Sequence, residues 1–67
     1  MIKEALRAGD KARITETIGH KFPLHTVVEI VRVEVGGTCL CRGEIILDGR
    51  KATIGQLVYS YCLSKIN

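Results

Sequence analysis

The sequence predicts an all-β domain, a small five-stranded antiparallel barrel, from three observations. Residues of high strand propensity gather in short runs of alternating polarity. Gly-Gly and Asp-Gly pairs separate those runs, and these are the pairs that tight hairpin turns demand. Five short strands in a 67-residue chain cannot cover one face as an open sheet, and closing the sheet on itself removes its exposed edges.

The elements follow in order. Ile2, Ala5 and Leu6 sit at helical spacing, so residues 2–8 predict one or two helical turns that Gly9 stops. This N-terminal extension, residues 1–8, precedes the barrel domain, residues 9–67. Gly9-Asp10 is a turn, after which Ala12 and Ile14 alternate with Lys11, Arg13 and Thr15 as a half-buried strand with a basic face. A long loop, "ETIGHKFPLHT", leads to the second strand, "TVVEIVRVEV". There Val28 and Ile30 share one face, whereas Val31, Val33 and Val35 share the other, so a bulge or sharp bend is expected between Ile30 and Val31.

Gly36-Gly37 turns the chain into the third strand, "TCLCRGEIIL", and Asp48-Gly49 turns it again into a fourth, "RKATI". "GQLVYS" is read as a turn of 3₁₀-helix and "YCLSKI" as the fifth strand. The expected core comprises Ala12, Ile14, Val28, Ile30, Leu40, Ile54 and Leu63, with Cys39 and Cys41 acting as small apolar residues.

The "GDKARIT…GHKFPLHTVVEIV" stretch resembles the openings of KOW-type domains and of short SH3-like proteins common in bacteriophage genomes, with Thr26 where many such domains carry Gly. The coiled second strand, two hairpins, a 3₁₀ turn and a last strand are similar to a small SH3-like barrel over residues 9–66. The resemblance implies a binding module with no catalytic residues, an accessory protein whose partner is a host or viral protein, or nucleic acid. The same fold hosts many functions, so the site must carry the assignment.

Composition narrows the classes. Apolar residues make up 46% and charged residues 25%, the usage of a folding chain rather than a disordered one. No apolar run approaches the ~20 residues that cross a bilayer, and Lys3, Glu4 and Arg7 interrupt the first stretch, so a cytoplasmic protein without membrane attachment is expected. Three Cys, an odd number, point to reduced thiols rather than a disulfide framework.

Cys39, Cys41, Cys62, His20 and His25 are the residue types that zinc prefers. A Cys-x-Cys pair on a strand aims both thiols one way, unlike the turn-borne spacing of structural zinc sites, so no metal and no cofactor are expected. Nucleophilic catalysis by a Cys and a His needs an orienting group and a pocket for which so small a barrel has little room, so no enzymatic activity is expected.

Two binding surfaces remain. The "GHKFPLHT" loop holds the only Pro and Phe and both His, so His20, Lys21, Phe22 and His25, with Tyr59, are the candidate protein-binding residues. Pro23 holds Phe22 extended, and Phe22 with Leu24 is expected to plug one end of the barrel. The formal charge of +3 supplies the alternative, nucleic-acid binding by Lys11, Arg13, Lys21, Arg32, Arg42, Arg50 and Lys51. Self-association through an edge strand is a further form of protein partnering.

Overall fold

A computed structural model describes residues 5–66. Five antiparallel strands form one sheet in the order β4-β3-β2-β1-β5: β1 Lys11–Ile14, β2 Val27–Glu34, β3 Thr38–Leu47, β4 Arg50–Tyr59 and β5 Leu63–Ile66. A 3₁₀ turn, Ser60–Cys62, joins β4 to β5. The all-β class, the strand count and both hairpins follow the sequence reading.

The second strand bends where its hydrophobic pattern slips. Ile30 lies opposite Cys41 and Arg32 opposite Leu40, so Val31 is an extra residue in the ladder, a bulge. The bulge falls where β2 exchanges neighbours: Gly9 N–H donates to Ile30 C=O at 2.7 Å, Ile30 N–H donates to Asp10 C=O at 2.8 Å, and beyond this point β2 pairs with β3 alone. Its parity change is real, since Val33 comes to lie opposite buried Cys39. Val33 nevertheless stays 48% exposed and Val35 fully exposed, because the end of β2 runs past the core.

Ala12, Ile14, Val28, Ile30, Cys39, Cys41, Ile45, Val58, Cys62 and Leu63 join Phe22 in one continuous core. Leu40 is corrected out of it. It alternates with Cys39 and Cys41 on β3, so once the thiols point inward Leu40 must point outward, where it is half-buried. Ile54 packs against the core without being fully buried.

Three boundaries also differ. β4 continues through Gly55-Gln56 to Tyr59, since every residue from Arg50 to Tyr59 finds a partner on β3, so "GQLVYS" is mostly strand. The 3₁₀ turn therefore comes later, at Ser60–Cys62, and β5 is shortened to Leu63–Ile66. The helical turn expected at residues 2–8 lies partly outside the described residues, and Ala5–Ala8 contain no helix. Instead Arg7 N–H donates to Asp10 Oδ2 at 2.9 Å and Asp10 N–H donates back to Arg7 C=O at 3.0 Å, closing a tight turn with Gly9 at φ +91°.

The β3–β4 hairpin outruns its neighbours. β2 accompanies β3 only as far as Arg42, so Gly43–Leu47 and Arg50–Ile54 form a two-stranded arm. The molecule accordingly extends 40 Å in one direction and 21 Å in the other two.

Candidate binding surface of the loop and the 3₁₀ turn

Residues 15–26 connect β1 to β2 and are pinned at both ends. Thr15 N–H donates to Cys62 C=O, and His25 N–H to Ile14 C=O, both at 2.8 Å. From there the loop reaches across to β4, where Lys21 N–H donates to Gln56 Oε1 at 2.7 Å. Phe22 is driven inward to 1% exposure, against Val28 and β3. Phe22 is thus buried as expected, while Leu24, expected to join it, stays half exposed.

His20 is committed to the loop's own structure. Its Nδ1 accepts the Phe22 N–H at 3.1 Å, which requires that nitrogen to be unprotonated. The proton then resides on Nε2, which donates to Glu16 C=O at 2.7 Å. With both ring nitrogens occupied and the ring 5.9 Å from that of Phe22, His20 shapes the loop. Lys21 and His25 project to solvent, and His25 holds φ +72°, a left-handed position at the end of the loop.

The exposed aromatic surface lies beside this loop. Tyr59 closes β4 and Tyr61 sits in the 3₁₀ turn, and their rings stack at 5.2 Å with only 8° between planes. They are 44% and 52% exposed. Gly19 underlies the pair: a Cβ there would lie 3.1 Å from Tyr59 Cε2, so the glycine admits the ring as well as supplying φ +79°. Leu57 shares the solvent row of β4 with Tyr59, and Ile18 precedes Gly19 in the chain; both are half exposed. Partial desolvation raises the pKa of the Tyr61 hydroxyl, with Cys62, Tyr59 and the carboxylate of Glu16 adding to the effect. The sequence predicts Tyr59 as a binding residue and Tyr59 beside Tyr61 as a packing pair, as found, but gives no signal for Ile18 or Leu57.

The candidate basic residues are spread over four strands and the loop. Arg32 pairs with Glu34 at 2.6 Å, and Arg42 pairs with Glu29 across the β2–β3 ladder. Lys11 and Arg13 occupy the solvent face of β1, Lys21 the loop, and Arg50 and Lys51 the far end of the β3–β4 arm. A cleft of about 370 Å³ between β2 and the arm mixes signs, with Lys11 and Arg42 beside Glu29 and Glu44.

Among the described residues, the Cys and His side chains are not gathered for a metal ion. Cys39, Cys41 and Cys62 are free, buried thiols. Burial raises all three pKa values, that of Cys41 to about 12, which leaves them protonated and poor nucleophiles. No helix among the described residues is long and apolar enough to cross a membrane. Comparisons with protein-family models, with curated proteins and with solved structures returned no match to this chain.

Proposed function

We propose that the protein is a non-catalytic binding module, a small SH3-like barrel of the KOW-like or bacteriophage accessory kind, which engages a host or viral protein partner through the Tyr59–Tyr61 surface and the adjoining loop. The observation that carries this reading is the stacked, half-exposed tyrosine pair itself. Two parallel rings present a broad apolar shelf at low entropic cost, since each aromatic side chain has only two torsions to fix. Exposed Ile18 and Leu57 extend the shelf, and Lys21 and Glu16 give it a polar rim. The strand order β4-β3-β2-β1-β5, with its 3₁₀ turn before the last strand, supports the barrel resemblance. Recognition in the loop rests on Lys21 and His25, because Phe22 is inside and His20 is occupied.

A displayed peptide library panned on the protein tests this reading. Tyr61→Ser is expected to weaken selected binders by about 2 kcal/mol, roughly thirtyfold, while leaving the melting temperature nearly unchanged. Binding indifferent to Tyr61→Ser and Lys21→Ala would overturn it. The nucleic-acid alternative predicts instead that low-salt gel shifts detect a complex whose salt slope falls by about one with each of Lys11→Ala and Arg13→Ala.

A further inference from the structure

We propose that the protein self-associates through β4, two copies pairing this strand antiparallel about a two-fold axis at Gly55, so that Lys51 of each copy rests on the Tyr59–Tyr61 shelf of the other. This rests on the reading of the shelf as a binding surface and names its occupant as a second copy of the chain.

β4 is an edge strand ten residues long, hydrogen-bonded to β3 on one side and to no other strand among the described residues. Natural edges are normally blunted by charge, proline or a bulge. β4 has none of these between Ala52 and Tyr59, its ladder with β3 runs without a register shift, and the contacts the β1–β2 loop makes with it, Lys21 N–H to Gln56 Oε1 and Gly19 beside the Tyr59 ring, are to side chains. From Ala52 to Tyr59 it is a regular and uncharged template for another strand.

The register comes from which residues share a face. Lys51, Thr53, Gly55, Leu57 and Tyr59 lie opposite Ile46, Glu44, Arg42, Leu40 and Thr38, so they form the solvent row of β4. In an antiparallel pair, opposing residues point to the same side. Centring a two-fold on Gly55 sets Thr53 against Leu57 of the other copy and Lys51 against its Tyr59. Each ammonium group then lies against a stacked tyrosine pair, with the Glu16 carboxylate nearby. Registers centred near the hairpin tip would bring Arg50 and Lys51 against their own copies, so charge excludes them.

Gly55 supplies the independent observation. Its φ is not among the positive values, and a Cβ there would meet nothing closer than Cys41 O at 3.8 Å. Neither a left-handed backbone nor a steric contact therefore accounts for glycine in the middle of this strand, where it weakens the element. The close approach of another backbone is one of the few reasons for such a residue, and the axis of the dimer falls on it.

Sedimentation velocity from about 5 to about 500 µM, with hydrogen exchange across residues 52–58, tests the inference. Wild type is expected to pass from monomer to dimer over this range, with β4 amides exchanging more slowly as dimer forms. Lys51→Glu is expected to weaken dimerisation about tenfold or more without altering the melting temperature, and adding Glu16→Lys to the same chain to recover most of that loss. A wild type that remains monomeric throughout, or a dimer indifferent to Lys51→Glu, overturns the inference. The two readings fail separately: a monomer that still selects peptides through Tyr61 excludes the second copy and keeps the shelf, whereas a dimer and a peptide library both indifferent to Tyr61→Ser exclude both.

Discussion

Phe22 packs over Gly43 of β3. A Cβ on Gly43 would lie 2.8 Å from Val28 Cγ1 and 3.0 Å from Phe22 Cε1, so β3 carries a glycine there because the plug from the loop occupies the space. Gly43→Ala is accordingly expected to destabilise by about 1–3 kcal/mol through overpacking, and Phe22→Ala by about 3–5 kcal/mol through the cavity it leaves. Urea denaturation followed by circular dichroism measures both, and an unchanged midpoint for either would contradict this packing. The two substitutions should also be non-additive, since Phe22→Ala removes one of the atoms that Gly43→Ala would strike. Phe22 was legible as a plug because Pro23 follows it and few solvated loops require a phenylalanine. Gly43 was not legible, because a glycine inside a strand run looks like a weak spot until the residue above it is known.

At the scale of elements, the β3–β4 hairpin shows how far local chemistry reaches. Asp48 and Gly49 hold φ +49° and +77°, the two left-handed positions of a tight hairpin turn, as the Asp-Gly pair implied. Gly49→Val should strain that turn by about 1–2 kcal/mol, lowering the melting temperature. The extra hydrogen exchange is expected to concentrate in Gly43–Leu47 and Arg50–Ile54, where β2 no longer supports the ladder. Exchange spread evenly over all five strands would show that the arm does not open by itself. The length of β4 was misread for a related reason. Gly55-Gln56 breaks its propensity, yet ten consecutive partners on β3 carry the strand across the break.

For the whole molecule, the three thiols link stability to pH. Burial raises their pKa values, Cys41 to about 12, whereas an unfolded thiol ionises at roughly 8.5. As pH rises the unfolded chain therefore loses these protons first. The thiol contribution to stability is fully present below pH about 8.5 and is lost progressively towards about 12. Urea midpoints should fall between pH 8 and pH 11, and Cys41→Ala should reduce that fall, which separates the thiol from the lysines and tyrosines that titrate in the same range. A midpoint with the same pH dependence in both proteins would contradict the assignment. In a 67-residue domain with so thin a core, alkylation at pH 8 should likewise be slow until the chain unfolds.

The sequence by itself determined the class, the number of strands, both hairpin turns and the bulge at Val31, because each of these depends on residues within a few positions of one another. It also determined that Ala12, Ile14, Val28, Ile30 and Leu63 are core, since alternation on a strand is a local property. Only the tertiary structure decided that Leu40 faces outward, that Gly43 leaves room for Phe22, and that Arg42 is tied to Glu29 across the β2–β3 ladder. It alone placed Gly19 under Tyr59, where β4 ends. These features depend on contacts between segments distant in the chain or on where an element stops, and neither periodicity nor propensity encodes them.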